Sequence, residues 1–323
     1  MKISIAMATY NGAQYIQEQL HSFIDQTRQP DELIITDDCS TDQTEAIVRE
    51  FAKIAPFTVR FHRNEKNLGY CGNFNAALMK ATGDLVFLSD QDDVWFPEKI
   101  EHMIDVAGRN PQALVVMNDA ALTDGELNEV GLTKVGQIRS AGFTLESFVM
   151  GCCCCVRREL LDFCMPIPEG IKAHDNWIVA FADALNGKVV YGRVLQYYRR
   201  HESNESQFIA NRTTRVTRHH AFFHSVKNLF EGDVRQREKN QISQQRLMIE
   251  GIRRVQAAAP DNYQSGLQHM LETAEARANN LRLRAALREK WLLPRVAATL
   301  GLLLRGEYRN TSGLKAVLRD LVG

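Results

Sequence analysis

The stretch LVFLSDQDDVWF, residues 85–96, decides how the rest of the chain is read. Leu85–Leu88 is a short, uninterrupted apolar run, the pattern of a strand buried on both faces. It runs directly into Asp90-Gln91-Asp92-Asp93, three carboxylates within four residues. Such groups repel one another and are costly to desolvate. A divalent cation removes that cost, and hard carboxylate oxygens suit magnesium or manganese, ions that also bind phosphates. The alternative is a solvated acidic turn. Val94, Trp95 and Phe96 follow at once and argue for a turn packed against apolar surface.

Upstream, strand and helix signals alternate. Residues 2–8 (KISIAMA) read as a strand, and Ile16, Leu20, Phe23 and Ile24 share one helical face. Leu33–Thr36 is a second strand, ending at Asp37-Asp38. Asp42-Gln43-Thr44-Glu45 has capping-box spacing before a helix with Ile47, Val48, Phe51 and Ile54 on its apolar face. Phe57–His62 reads as a third strand and Gly72–Ala81 as a short helix. Downstream, Pro97 suits the first turn of a helix, and Leu114–Met117 is a further strand. The alternation predicts an α/β fold, a mostly parallel sheet covered by helices.

Ligands of such sheets bind beyond the carboxyl ends of the strands. Three polar clusters stand there: Thr9-Tyr10-Asn11-Gly12, Asp37-Asp38-Cys39-Ser40 and the acidic cluster. An ordinary turn is the alternative for the first. For the second it is an Asx turn, with one Asp capping while the other faces the crevice. No glycine-rich phosphate loop occurs, so a nucleotide would be held by carboxylates, metal and loop side chains.

With 323 residues, 45% of them apolar, the chain supports one large α/β domain with an appendage, or two domains. Zero formal net charge argues against nucleic acid as a partner. The charge is unevenly spread: residues 212–323 carry 20 Lys/Arg and 10 Asp/Glu, the first 211 carry 19 and 29. An acidic front suits a metal site and a basic tail suits a phosphate-rich or membrane surface. Met1-Lys2 leads straight into a strand, without a signal-peptide pattern. No apolar run reaches the roughly 18 residues of a membrane span; the best candidate, Trp291 to Leu304, contains Pro294 and Arg295. Seven cysteines fit a reducing, cytoplasmic setting. The consecutive Cys152–Cys155 read as buried small hydrophobes on a strand, because adjacent strand side chains point to opposite faces and four in a row cannot converge on one ion.

The middle of the chain holds the cysteine strand, a helix from about Asp175 to Leu185 closed by Asn186-Gly187, and a strand near Val194–Tyr198. Beyond Phe208 helix formers dominate, which sets a boundary near 210 and a helical extension over 211–323.

Together, SIAMATYNG (4–12), ELIITDDCSTDQT (32–44), NLGYCGNFNAALMKATGDLVFLSDQDDVWFPEK (67–99), GCCCCVRRELL (151–161), HDNW (174–177) and YYRRHESN (197–204) resemble the family-2 glycosyltransferases of the GT-A (nucleotide-diphospho-sugar transferase) fold. The likeness covers about residues 3–205 and is greatest to bacterial rhamnosyltransferase-type enzymes of lipopolysaccharide O-antigen and capsule synthesis. It implies a catalytic domain over 1–210, with a nucleotide-sugar-binding half to about 120 and an acceptor-binding half from about 121. It also assigns roles. Thr9, Tyr10 and Asn11 would line the nucleotide pocket, and Asp38 would accept the base imide N–H. Asn67, Gly69 and Asn73 would border the donor. Asp90 would face the ribose, Gln91 beside it would belong to the nucleotide-sugar site, and Asp92 would ligate Mn2+ or Mg2+, with Asp93 an adjacent carboxylate also in reach. Asp175 stands where the family has its catalytic base, with His174 in place of the usual Glu. His201 would reach the metal or the diphosphate, aided by Arg199 or Arg200.

Each role has a simpler alternative: a helix N-cap for Asp175, a surface histidine for His201, core packing for Trp95 and Trp177. The implied reaction is metal-dependent, inverting transfer of a sugar from a nucleotide-diphospho-sugar to a hydroxyl of a glycan or lipid-linked acceptor. The alternative function is a non-catalytic sugar-binding or scaffolding homologue. Nucleotidyl transfer is disfavoured because TYNG stands where a Gly-rich, Arg-containing loop belongs. A processive membrane synthase is disfavoured by the absence of spanning segments and of a QxxRW run. In the tail, Trp291, Leu292, Leu293, Val296, Leu300, Leu303 and Leu304 mix with Arg288, Lys290, Arg295, Arg305 and Arg309. That pattern suits peripheral contact with an anionic inner-membrane leaflet, or packing against the protein itself.

Overall fold

A computed structural model describes residues 1–201, 209–221, 223–224, 234–289, 291–308, 316–317 and 320–321. Glu202-Ser203-Asn204 of the last motif, and Lys290 and Arg309 of the tail, lie outside the described residues.

The first four strands are β1 (Ile3–Thr9), β2 (Glu32–Asp37), β3 (Thr58–Arg63) and β4 (Leu85–Ser89). All are parallel neighbours, ordered β3-β2-β1-β4. Helices α1 (Ile16–Ile24), α2 (Thr44–Phe51) and α3 (Gly69–Lys80) connect them. β1, β2 and β4 are buried along their whole lengths or nearly so, which is why their sequences read as unbroken apolar runs. Ile16, Leu20 and Phe23 of α1 complete the core over β1 and β4.

The remaining strands are β5 (Val94–Trp95), β6 (Val115–Thr123), β7 (Glu129–Thr133), β8 (Cys154–Arg157) and β9 (Lys188–Arg199). They extend the sheet as β4-β8-β6-β9-β5, with β7 on β6. Here the expectation of a mostly parallel sheet is corrected. β8 is antiparallel to both β4 and β6, and β5–β9 and β6–β7 are antiparallel too. Only β6–β9 continues the parallel pattern, so the sheet is mixed. A buried run such as CCCC carries no alternation and therefore no signal of strand direction.

Residues 90–93 alone separate β4 from β5, a reach of about 17 Å fully extended. β5 lies four positions away in the sheet order, about 19 Å if the sheet were flat. The sheet therefore curls, and Trp95 of β5 returns to meet Phe23 of α1 edge-on, ring centres 4.8 Å apart. The acidic cluster is the bridge across that curl.

Around the second half stand α4 (Lys99–Arg109), α5 (Lys134–Ser140), α6 (Arg158–Cys164) and α7 (His174–Ala184). The expected capping box does not form: the N-cap is Gln43, without a side-chain cap bond, while Asp42 makes an Asx turn to Thr44 N–H at 3.0 Å and Glu45 pairs with Arg49 and Arg63. The cysteine run is also adjusted. Gly151–Cys153 is a 3-10 turn and only Cys154 and Cys155 lie on β8; all four are buried.

The chain divides into two compact units, Met1–Arg218 and His219–Gly323. In the first, residues beyond 210 are held on α5: Gln137 Nε2 donates to the Arg212 and Thr214 carbonyls at 2.8 Å each, and Val216 N–H donates back to Gln137 Oε1 at 2.9 Å. The second contains α8 (Val234–Ala258), α9 (Gln264–Arg288) and α10 (Leu292–Leu304). Pro260 and a 3-10 turn, Asp261–Tyr263, reverse the chain between α8 and α9. Leu287, Leu302, Tyr308, Ala316 and Val317 form a small core. Beside it Arg284 pairs with Asp320 at 2.6 and 3.0 Å. No described helix is long and apolar enough to cross a membrane.

Candidate active site

Because β2, β1 and β4 are adjacent and parallel, their carboxyl ends open on one side, and the three polar clusters meet there. Asn11, in a left-handed conformation (φ 46°), turns the chain after β1. Its N–H donates to Ser40 Oγ at 2.8 Å and its Oδ1 accepts Thr41 N–H at 2.8 Å, tying the first cluster to the second. Tyr10 N–H donates to Gln91 Oε1 at 2.9 Å, and Gln91 Nε2 donates to the Tyr10 carbonyl at 3.0 Å, tying the first to the third.

The two aspartates after β2 divide their work. Asp37 accepts Thr9 Oγ1 at 3.0 Å and Ser40 N–H at 2.9 Å and pairs with Arg63 at 3.3 Å. It is the Asx turn. Asp38, also buried, accepts Asn64 Nδ2 at 3.0 Å and Leu68 N–H at 2.7 Å, both on Oδ1. Those bonds draw the 64–69 loop over the crevice wall. Asn67 reaches the Asp38 carbonyl at 3.3 Å, and Gly69 (φ 71°) opens α3 on the exposed rim.

Thr9 and Asn73 are sealed under the crevice wall instead of lining it. They are 1% and 2% exposed, and Asn73 Nδ2 donates to the Thr9 carbonyl at 3.0 Å. Tyr10 and Asn11 are exposed at the mouth, and Gln91 lies half-buried with its amide engaged by Tyr10.

The three clustered aspartates differ sharply. Asp93 is fully buried and accepts Gln196 Nε2 at 2.8 Å. Burial and the charges of Asp92 and Asp90 hold its carboxyl well above the usual range. Below it lies Lys99, fully buried, donating to the Cys152 carbonyl at 2.9 Å and to Gln196, its ammonium 3.8 Å from the Trp95 ring centre. Asp90 is half-buried. Burial first, then the charges of Asp92 and Asp175, push its carboxyl up to about 7. Potential ligand atoms of Asp90, Asp93 and Cys152 lie within 4.8 Å of one another, so the first cysteine of the run does approach the carboxylates.

Asp92 faces the other way. Its Oδ2 lies 2.8 Å from His201 Nε2. His201 follows the end of β9, and its ring stacks on Tyr15 with centres 4.6 Å apart. Arg199, expected near a diphosphate, is instead 3% exposed and turned inward. It donates to the Asp92 carbonyl (2.8 Å) and the Gly125 carbonyl (2.7 Å), and pairs with Glu18. Arg200 is half-buried, its Nη1 3.4 Å from the Tyr198 hydroxyl.

Asp175 is in the first turn of α7, whose N-cap is Ala173, so it does not cap that helix. It is half-exposed, and its charge contributes to the raised pKa of Asp90 and, after burial, of Cys71 and Cys154. His174 beside it is buried and stacked on Phe74, ring centres 3.9 Å apart. Burial pushes its imidazole pKa down, against the pull of Asp175. Gly151 is required there, since an added Cβ would come 2.6 Å from His174 Nε2. Trp177 and Trp95 are buried packing residues; Trp177 Nε1 donates to the Cys164 carbonyl at 3.0 Å.

Tyr15, Glu18, Lys99 and Gln196 were not legible as site residues. The one signal was Lys99, a lysine directly before Ile100 and in line with Met103 on a core-facing helix face.

An α/β sheet of this order, with an acidic turn bridging the strands at its carboxyl edge, is the GT-A fold of nucleotide-sugar transferases. The solved structure of S. aureus TarS 1-349 in complex with UDP has the same fold, with a TM-score of 0.56 and 19% identity, covering 97% of this chain and 95% of that one. The chain belongs to glycosyl transferase family 2, whose model matches residues 4–163, and it is a glycosyltransferase. It is 31% identical over 212 residues to the dTDP-rhamnosyl transferase RfbG of Shigella flexneri, covering 62% of this chain and 73% of that protein. It is 29% identical over 227 residues to an uncharacterized glycosyltransferase of Nostoc sp. (strain PCC 7120), covering 66% and 69%.

Proposed function

We propose that this enzyme transfers a sugar, with inversion, from a nucleotide-diphospho-sugar to a hydroxyl of a glycan or lipid-linked saccharide, using Mn2+ or Mg2+. The observation that carries the reading is the approach of Asp92 Oδ2 to His201 Nε2, 2.8 Å apart where the turn before β5 meets the end of β9. Two ligands at right angles on an ion of this size sit about 3 Å apart. The raised pKa of Asp90 marks a carboxylate surplus that a cation would relieve. The donor set therefore fits, and a nitrogen ligand favours Mn2+ over Mg2+.

In this reading Asp92 and His201 hold the cation, which when bound supplies positive charge beside the donor diphosphate. Asp38 receives the base N–H on Oδ2, the oxygen outside its loop bonds. Tyr10, Asn11 and Asn67 border the nucleotide, with Gly69 at the rim, and Asp90 meets the ribose. Thr9, Asn73 and Gln91 hold those groups in position. Asp175 takes the proton of the acceptor hydroxyl as its oxygen attacks the anomeric carbon. The bond from that carbon to the diphosphate oxygen breaks on the opposite face, and its electron pair leaves with the nucleoside diphosphate. One base and one displacement give inversion. Arg199 is engaged elsewhere, which leaves Arg200 as the arginine available to the leaving group.

Residues 1–210 form the catalytic domain in this proposal, with donor and acceptor halves meeting near 120, and 211–323 an accessory extension. The role proposed is in bacterial cell-surface polysaccharide synthesis, and 31% identity to the dTDP-rhamnosyl transferase RfbG makes dTDP-activated deoxysugars the first donors to test. A thermal-shift screen of dTDP-, UDP- and GDP-sugars with Mn2+ should give one clear stabiliser; none at millimolar donor would overturn the reading.

The extension also supports contact with the cytoplasmic leaflet. On and beside α10, Trp291, Leu293 and Leu304 are 87%, 81% and 89% exposed, with Arg295 and Arg305 nearby. Apolar side chains beside arginines suit an anionic surface. Flotation with vesicles containing phosphatidylglycerol, but not with phosphatidylcholine alone, is expected, and Trp291→Glu with Leu293→Glu should abolish it. Equal recovery with both vesicle types, or with none, would remove the membrane from the proposal.

A further inference from the structure

We infer that Tyr15 and Arg199 are positioning residues that hold Asp92 and His201 on one cation; the inference rests on the assignment of those two as its ligands. Asp92 lies in the turn between β4 and β5, and His201 follows β9, 109 residues later. Pairing of β5 with β9, Val94 opposite Tyr197, brings the two segments side by side, but strand pairing does not orient the Asp92 and His201 side chains beyond the strand ends.

Arg199 acts on the first. Its guanidinium is buried, with Nε on the Asp92 carbonyl at 2.8 Å, Nη1 on the Gly125 carbonyl at 2.7 Å and Nη2 on Glu18. A planar fork used on three sides locks the peptide from which the Asp92 side chain projects, a task an ammonium cannot copy. Tyr15 acts on the second. Its ring stacks on the His201 imidazole with centres 4.6 Å apart and planes 29° apart, and the Arg199 guanidinium carbon lies 4.6 Å from the same ring. Stacking sets the plane of the imidazole, and with it the direction of Nε2.

Tyr15 and Glu18 stand at the start of α1. One helix end therefore braces both ligands, through a ring on one side and a carboxylate–guanidinium pair on the other. Gly125 closes the group: an added Cβ there would lie 3.9 Å from the Tyr15 hydroxyl and 4.0 Å from His201 Cβ. Groups that orient ligands in this way affect metal affinity without touching the ion.

The test measures Mn2+ binding to the full chain in the presence of UDP or dTDP, from the paramagnetic resonance signal of free Mn2+. Tyr15→Ala and Arg199→Lys should each weaken Mn2+ about ten-fold or more, while Tyr15→Phe, which keeps the ring, should stay within about two-fold of the parent. Asp92→Ala is the control. If it binds Mn2+ like the parent, the ligand assignment itself falls. If it fails to bind while Tyr15→Ala and Arg199→Lys bind normally, the ligands stand and the bracing role falls. Nucleotide binding without Mn2+ separates positioning from folding: it should survive in Tyr15→Ala, and its loss there would make Tyr15 a structural residue only.

Discussion

Gln91 and Tyr10 are joined by a reciprocal pair of hydrogen bonds, the Tyr10 N–H to Gln91 Oε1 at 2.9 Å and Gln91 Nε2 to the Tyr10 carbonyl at 3.0 Å. A side-chain amide here replaces a backbone strand partner, and it latches the turn after β1 to the acidic turn after β4. The latch needs Gly12, because a Cβ at that position would come 2.2 Å from Gln91 Oε1.

Gly12→Ala should therefore unlatch the crevice without unfolding the protein, since the clashing atoms are the far end of a flexible side chain. Donor affinity should fall about ten-fold, roughly the 1–1.5 kcal/mol of a hydrogen bond or two. Gln91→Ala should match it by calorimetry. Unchanged affinity in both would show that the latch does not shape the nucleotide pocket.

Asp175→Asn keeps the shape of the α7 terminus and removes the base. Turnover should drop by about 100-fold or more, the ordinary contribution of general base catalysis. Nucleotide binding should stay near the parent value. A variant with parental turnover would assign the base elsewhere.

Lys99 holds the Cys152 carbonyl and Gln196 under the buried Asp93. Lys99→Ala would remove the donor that the buried Cys152 carbonyl and Gln196 share and leave a cavity beside Trp95. It should cost about 3 kcal/mol in urea unfolding. A loss under about 0.5 kcal/mol would show that the ammonium does not hold this cluster together.

Glu32, at the opposite end of β2 from the crevice, offers a pH test without touching chemistry. Burial alone would raise its carboxyl, but hydrogen bonds from Ser4 and Thr82 and the Lys2 charge bring it down to about 2. A lowered folded pKa contributes stability that is present above the unfolded value near 4.3 and is lost as pH falls toward 2. Glu32→Gln should lose about 2 kcal/mol at pH 7, allowing for screening at its half-exposed partner Lys2, and little at pH 2.5. A pH-independent difference would contradict the ionised carboxylate.

The amino-acid sequence alone determined the parallel half of the sheet and its three polar turns. Buried parallel strands must be unbroken apolar runs, and ligand-facing residues must follow them, so both leave a local mark. It also pointed to Asp38, Asp92, Asp175 and His201, though only through likeness to a family. Tertiary structure decided the rest. β8 runs antiparallel because of its neighbours, and a run of cysteines says nothing about direction. Whether an arginine at 199 reaches outward or inward depends on Glu18 and Gly125, far away in the chain. The acidic cluster of residues 90–93 was legible as a turn rich in charge, but its division into a buried Asp93, a half-buried Asp90 and an Asp92 turned to His201 came from the curl of the sheet. That curl is set by pairing between residues about a hundred positions apart, and no local pattern encodes it.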